Sequence, residues 1–242
     1  MEAEGPPVTA VSHVPGTAEW WRRRHVNEKR RRPRMDGFSR RRITAAALSI
    51  VDRDGLDGLT MRRLAQELGT GPASLYRHVA NRDELLVELM DHVLGDIRPP
   101  TPEARTWRCG IEWMAREVRR VLLDHPAVVP LVPGDPLLGP NAMRGREIGL
   151  RLLRDHGFAV EDAIRIYAIV IGWTVGQTLL VVTGPGTRGE ALRSWVADVP
   201  DRDGDLPTVR ELASAGGLPE AEVIFELGLA TLLDGVEARF RR

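Results

Sequence analysis

Cysteine is nearly missing: Cys109 stands alone in 242 residues, so an internal disulfide is excluded and the chain suits a reducing cytoplasm. Net charge is missing too, with 34 Lys/Arg against 34 Asp/Glu, which argues against a purely electrostatic coater of nucleic acid. No apolar run in the sequence approaches the ~18 residues of a membrane helix. The longest, Ile169 to Val175, is interrupted by Gly172, and no membrane partner is expected. Met1 to Pro15 holds two glutamates and no apolar block, unlike a signal peptide. The six histidines form no HxxxH or HxH pair, so no metal is expected. No Ser-His-Asp ordering, nucleophile elbow or glycine-rich phosphate loop is present, and no cofactor is expected. What remains is an ordinary soluble composition, 43% hydrophobic and 28% charged, long enough for two modest domains sharing a core.

The informative stretch runs from Ile43 to Leu86, centred on LAQELGTGPASLYR (Leu64 to Arg77). Met61, Leu64, Ala65 and Leu68 fall at i, i+3, i+4, i+7, one face of a helix. Gly69 can stop that helix in the left-handed conformation, Gly71 serves as the next N-cap, and Pro72 suits the first turn after it. Two short helices across such a turn make a helix-turn-helix, whose second helix enters the DNA major groove. Ile43, Ala47, Ile50 and Val51 predict a helix before the pair, closed by Gly55, and Thr60 reads as the N-cap of the helix at Met61. Asn81 and Glu84 read as a capping box opening a further helix through Leu85, Leu89, Met90 and Val93.

The ungapped string ITAAALSIVDRDGLDGLTMRRLAQELGTGPASLYRHVANRDELL, above all Leu75 to Val79 and Asn81 to Leu86, resembles the amino-terminal domain of the TetR family of repressors. HPAVVPLVPGDPLLGPNAMR and FELGLATLLDGVEARF resemble the carboxy-terminal regulatory domain of the subgroup that includes the tetracycline repressor. The resemblance implies an all-α chain: a three-helix helix-turn-helix DNA-binding domain, then a larger helical ligand-binding and dimerisation domain. The expected divisions are a flexible basic arm over 1–38, the DNA-binding domain with its connecting helix over 39–98, and the second domain over 99–242.

Charge follows those divisions. Residues 1–42 carry eleven Lys/Arg against five Asp/Glu, whereas 43–98 carry six against nine and 99–242 seventeen against twenty. A basic start is what phosphate neutralisation needs. The arm, with Trp20-Trp21 and arginine clusters at Arg22 to Arg24 and at Lys29 to Arg32 with Arg34, reads either as a disordered tail or as an arm along the DNA backbone or in the minor groove. Met35 is an alternative start.

By the resemblance, Gly71, Pro72, Ala73, Ser74, Tyr76, Arg77 and His78 lie on the reading helix. Arg62 matches a base-reading position, and Thr60, Ser74, Tyr76 and Arg82 match phosphate-gripping ones. Gly71, Pro72 and Ala73 carry no hydrogen-bonding side chain and would read shape or thymine methyls, while arginine suits guanine O6 and N7. Plainer readings stand beside these: Tyr76 packed on the first helix, His78 capping a last turn, and one of Arg62 and Arg63 a solvated charge.

Farther on, helices are expected over Glu103–Asp124, Asn141–His156, Glu161–Thr183 and Glu220–Phe240, with short ones at Gly189–Val196 and Thr208–Ala215. Stripes of Trp107, Ile111, Met114, Val118 and Leu122, and of Met143, Ile148 and Leu152, would face the core, and Cys109 reads as a small core residue. The helix Glu161–Thr183 is apolar nearly all round and is expected to be buried on most sides. Candidate pocket residues for a small-molecule effector are Trp107, Trp113, Met114, His125, Met143, Tyr167, Trp173 and Gln177, each with a core role as the alternative. Gln177 is the sharper clue, since a buried amide must find a partner. Gly172, Gly176, Leu229 and Leu233 are expected at a homodimer interface. The reading is a dimeric, ligand-responsive repressor on a palindromic operator. A ligand-independent DNA-binding protein and an enzyme using the second domain are the rival classes.

Overall fold

The computed structural model describes residues 14–30, 39–101, 106–132, 137–184, 194, 206–215 and 219–240. The elements are α1 Ala18–Arg30, α2 Arg40–Gly58, α3 Met61–Glu67, α4 Pro72–Tyr76, α5 Arg82–Leu94, α6 Trp107–Asp124, a 3₁₀ segment Pro126–Leu131, α7 Pro140–Asp155, α8 Val160–Thr183, α9 Pro207–Ser214 and α10 Ala221–Phe240. No strand occurs among the described residues, as expected of an all-α chain. The expected helix at Gly189–Val196 and the arginines at 31, 32 and 34 lie outside the described residues, as does Met35. The chain forms two compact units. One draws its described residues from Met1–Pro99 and Arg120–Arg151, the other from Pro100–Arg119 and Leu152–Arg242.

In the first unit, Ser39 caps α2, its hydroxyl accepting from the Arg42 N–H at 3.2 Å. Ile43, Ala47, Ile50 and Val51 are all buried on α2, and Leu85, Leu89 and Val93 of α5 pack the same core. Gly55, at φ +72, breaks the helical dihedrals inside α2 where the sequence pattern stops. Such a conformation strains any side-chain-bearing residue. Val128 and Val129 of the 3₁₀ segment are buried, and that segment packs on α2 and α5. The N-terminus of α7 is held by a carboxylate from α5. Asp91 accepts the Asn141 and Ala142 N–H groups at 3.1 and 3.0 Å, and the Asn141 amide donates to the Asp91 carbonyl at 2.9 Å. A Cβ at Gly139 would overlap that carboxylate, so glycine is needed there. Burial pushes the Asp91 carboxyl above its ordinary range, although both N–H groups pull the other way.

The arm departs from expectation. Residues 18–30 form a helix rather than a flexible strand, and Arg24 anchors it, buried with Glu84 and Glu88 of α5 as its partners. A buried guanidinium between two carboxylates has strong reason to stay, since removing it would leave buried charge uncompensated.

In the second unit, Trp107 packs edge-on against Phe158 at 5.2 Å between centroids. The stripe Trp107, Ile111, Met114 and Val118 is buried as expected, and Leu122 continues it in the last turn of α6. Two ion pairs fasten α6 to α10: Arg116 to Glu226 at 2.7 Å and Arg119 to Glu222 at 2.5 Å. The α8 and α10 helices pack together, closely enough that a Cβ at Gly228 would overlap the Trp173 ring.

Four expectations are corrected. Cys109 is exposed, because the buried stripe of α6 runs through its neighbours at 107, 111 and 114. The buried side of α7 passes through Leu153, leaving Met143 exposed. The α8 helix is buried along one face only, Ala163, Ile166, Val170, Thr174 and Thr178, while Ile164, Ile169, Leu180 and Val181 are exposed. The 24-residue helix is nevertheless long and apolar enough to cross a membrane by length and composition, holding an 18-residue stretch of mean hydropathy 1.7. Gly172, Thr174, Gly176 and Thr178 interrupt the run of large apolar side chains without lowering it enough to fail that test.

Candidate DNA-reading face and effector pocket

The α3–turn–α4 geometry follows from its caps. The Thr60 hydroxyl accepts from the Arg63 N–H at 3.2 Å, the interaction that starts α3. Gly69, at φ +64, ends it in the left-handed region. Gly71 is the N-cap of α4 with Pro72 at its first position, and the buried Leu75 and Val79 root that helix and its exit. What is rooted on one side is open on the other. Gly71, Pro72, Ala73 and Arg77 are exposed, as is Tyr76 at 51%, while Ser74 and His78 are half-buried. Tyr76 therefore does not take the packed position that was its alternative. The Arg77 guanidinium donates to the Ser74 hydroxyl at 2.8 Å, which pairs a cation with a hydroxyl on the exposed side of α4.

The neighbouring arginines of α3 divide their work. Arg63 donates to Asp54 at 2.6 Å, tying α3 to α2. Arg62 is exposed with no ion pair among the described residues, leaving its fork open for a base edge.

Arg82, expected on phosphate, has partners within the unit. Its Nε donates to the Leu59 carbonyl at 3.1 Å and its Nη2 to the Leu56 carbonyl at 2.8 Å. The Leu56 carbonyl already accepts from the Leu59 N–H at 3.1 Å, so the guanidinium fork gives it a second donor while also donating to the Leu59 carbonyl. The capping box is also altered. Asn81 accepts from the Glu84 N–H at 2.8 Å as expected, but the Glu84 carboxylate accepts from Ala80 at 2.5 Å, one residue before the usual partner.

The proposed pocket residues divide between the two units. Trp107, Trp113, Met114, Tyr167, Trp173 and Gln177 belong to the second unit, whereas His125 and Met143 belong to the first. The His125 Nδ1 lies 3.0 and 3.1 Å from the Asp52 oxygens of α2, tethering the 3₁₀ segment. Met143 is 45% exposed. Trp173 is spent against Gly228, and its Nε1 donates to the Phe225 carbonyl at 3.5 Å. Gln177 is half-exposed, so the argument from a buried amide does not apply. The Trp113 Nε1 is buried without a hydrogen-bond partner among the described residues. Sequence reasoning missed Thr174 and Thr178, fully buried, whose hydroxyls donate to the Val170 and Thr174 carbonyls at 2.8 and 2.7 Å. Their spacing of four within an apolar helix was the available signal.

A helix-turn-helix with an exposed reading side, joined to a helical second unit, defines a DNA-binding regulator. Residues 43–89 match the family described as bacterial regulatory proteins, tetR family, and residues 99–240 match the tetracyclin repressor-like C-terminal domain. The chain belongs to the TetR family of transcriptional regulators. It is 34% identical to an HTH-type transcriptional regulator of Saccharopolyspora erythraea, over 82% of this chain and 86% of that one. It is also 34% identical to the transcriptional repressor DrrR1 of Streptomyces coeruleorubidus, over 81% and 76%. Among solved structures, ActR of Streptomyces coelicolor in complex with actinorhodin superposes with TM-score 0.73 at 35% identity, covering 85% of this chain and 98% of that one.

Proposed function

We propose that the chain is a homodimeric repressor that holds a palindromic operator through α3 and α4 and leaves it when a small hydrophobic ligand enters the second unit. The observation that carries this is the reading surface: Leu75 and Val79 buried, Gly71 to Ala73, Tyr76 and Arg62 exposed. Arg62 would read a guanine, Gly71 to Ala73 would pack on thymine methyls, and Thr60, Ser74, Tyr76, Arg77 and His78 would take phosphates or edges nearby.

The dimer is supported by unsatisfied apolar surface on two adjacent helices. Ile164, Ile169, Leu180 and Val181 of α8, and Val223 and Leu227 of α10, are all more than a third exposed. Gly172 and Gly176 have nothing within 4 Å of where a Cβ would stand, so a partner helix can approach there. Leu229 and Leu233 do not take the expected interface role, being 1% and 0% exposed within the protomer. A two-fold pairing would supply the symmetry a palindrome needs. For the ligand, the Trp113 Nε1 offers a buried donor to a carbonyl or hydroxyl oxygen, and ActR, similar over most of its length, holds actinorhodin. Release is a population shift set by the ligand's preference for one spacing of the reading helices. No catalysis is assigned, in keeping with relatives that are transcriptional regulators, and action on DNA implies the cytoplasm.

Selecting duplexes from a random library with the purified protein tests the reading. Palindromes with half-sites about 34–36 Å apart are expected. Adding actinorhodin as the first ligand probe should weaken their binding. Asymmetric sites bound by a protein that sediments as a monomer would overturn the proposal.

A further inference from the structure

The helix α1 lies outside the matched family segments, which begin at residue 43, yet it is built into the DNA-binding unit. Gly16, before its first turn, sits against Val87 of α5, where an added Cβ would reach 3.4 Å. Trp20 underlies the Arg24 guanidinium at 4.5 Å, and Trp21 meets Trp20 edge-on at 4.6 Å. Arg24 in turn engages Glu84 and Glu88, and Arg40, the first residue of α2, reaches Glu88 at 2.9 Å. Two cations and two carboxylates thus close a buried cluster, with the tandem tryptophans as its cover. Its position is telling, because the Glu84 carboxylate also accepts the Ala80 N–H, four residues beyond the end of α4. Arg24 is therefore one carboxylate away from the exit of the reading helix.

Arg24 and Arg40 meet on Glu88, which ties α1 and the first turn of α2 to one carboxylate. Their inward arginines are consumed by the cluster. Their neighbours, Arg22 and Arg23 on α1 and Arg41 and Arg42 on α2, are exposed, and Arg22 and Arg23 share the single carboxylate of Glu19 at 3.3 and 3.4 Å. Anchoring needs Arg24 alone. It does not explain Arg22 and Arg23, two exposed cations on the one carboxylate of Glu19, a surplus of positive charge that suits a polyanion.

We propose that α1 is a second DNA-contacting element, latched to the reading unit by Arg24, whose Arg22 and Arg23 join the exposed Arg41 on phosphates flanking the site read by α3 and α4. This rests on the chain binding duplex DNA, and it adds a sequence-independent contact that the helix-turn-helix does not supply. Backbone contacts of this kind set register and raise affinity for every sequence alike.

The test compares the full chain with an Arg22→Gln/Arg23→Gln double variant on a mixed-sequence duplex, with affinity measured across a salt series. Each phosphate no longer neutralised should lower the slope of log K against log salt by ~0.9. The double variant should show that shallower slope with an unchanged melting temperature, since both residues are exposed. Arg24→Gln should show the same shallower slope together with a lowered melting temperature, because the latch is then broken. An unchanged slope in the double variant overturns the proposal, and an unchanged slope in Arg24→Gln overturns the latch. If the double variant instead loses binding to phosphatidylglycerol vesicles and keeps its DNA slope, the surface belongs to a membrane and the proposal fails. A full chain that binds no duplex at any salt would defeat the DNA-binding reading itself. A slope unaffected by Arg22 and Arg23 defeats only this extension of it.

Discussion

The reading unit and the α8–α10 pair are both all-helical, yet they finish their surfaces in opposite ways. Around α2 to α5 nearly every loose end meets a named polar partner. Thr60 caps α3, Asn81 caps α5, Arg82 takes two carbonyls of the α2 terminus, and Arg63 is held by Asp54. Along α10 the polar anchors, Glu222, Glu226 and Asp234, all meet arginines of α6, while elsewhere on α8 and α10 large apolar side chains alternate between burial in the protomer and exposure outside it. The first kind of surface fixes a shape that must be correct before DNA arrives. The second leaves apolar area whose natural complement is another copy of itself.

Leu227 and Leu229 put that contrast to its hardest test. They lie two positions apart on α10, at 67% and 1% exposure. Leu229→Arg places an unpaired charge in the core and should cost more than ~4 kcal/mol, leaving little folded protein by circular dichroism. Leu227→Arg should keep the melting profile of a folded protomer but sediment as a monomer and lose operator binding. If Leu227→Arg remains a tight dimer, the exposed stripe is not the interface.

Within the reading unit the comparison sharpens around Arg82 and Tyr76. Arg82→Ala removes the Arg82 donors from the Leu59 and Leu56 carbonyls, the latter keeping its Leu59 N–H, and should lower stability by ~1–3 kcal/mol in urea unfolding. Tyr76→Phe should leave stability unchanged and weaken operator and random DNA alike. An Arg82→Ala protein of undiminished stability would return Arg82 to the phosphate-gripping role. Arg62→Ala is the narrower change: discrimination at one base pair should fall by ~1–3 kcal/mol in competition binding, with stability unaltered. A base preference that survives the substitution would remove Arg62 from base reading.

Legibility in the sequence follows the same division. Caps, stops and apolar spacing are local, so Thr60, Gly69, Pro72 and Asn81 mark out α3, α4 and α5 by themselves. The roles that escape such reading depend on residues far apart in sequence. Nothing near Arg82 indicates that the carbonyls of Leu56 and Leu59 await it, and nothing near Arg24 names Glu84, sixty positions on. The α8 helix misleads for a different reason. A stripe apolar on all sides has no periodic signal left to say which side its own chain covers. Leu229 on α10 is as apolar as the exposed Leu227 beside it, so composition alone does not tell core from interface. Pocket residues are the least legible, since aromatic and sulfur-bearing side chains serve core and cavity equally well. His125 belongs to Asp52, a partner of which the neighbouring residues give no sign.

The smallest expected effect concerns the polar anchor that fits its surroundings least comfortably. Asp91 holds the start of α7 by accepting two N–H groups, and burial raises its carboxyl above the ordinary range. The group therefore binds its proton more tightly folded than unfolded. Its favourable contribution is complete below the ordinary carboxyl value and disappears as pH rises through the raised folded value. Asn at this position keeps an acceptor oxygen for one of the N–H groups and has no charge to desolvate. The stability of Asp91→Asn relative to the unmodified protein should accordingly increase as pH climbs out of the acid range, then level off towards neutrality. Urea unfolding of both proteins across that range gives the difference directly. A difference that falls with rising pH would mean that the ionised carboxylate is favoured at the α7 terminus, with hydrogen bonding to the two N–H groups outweighing burial.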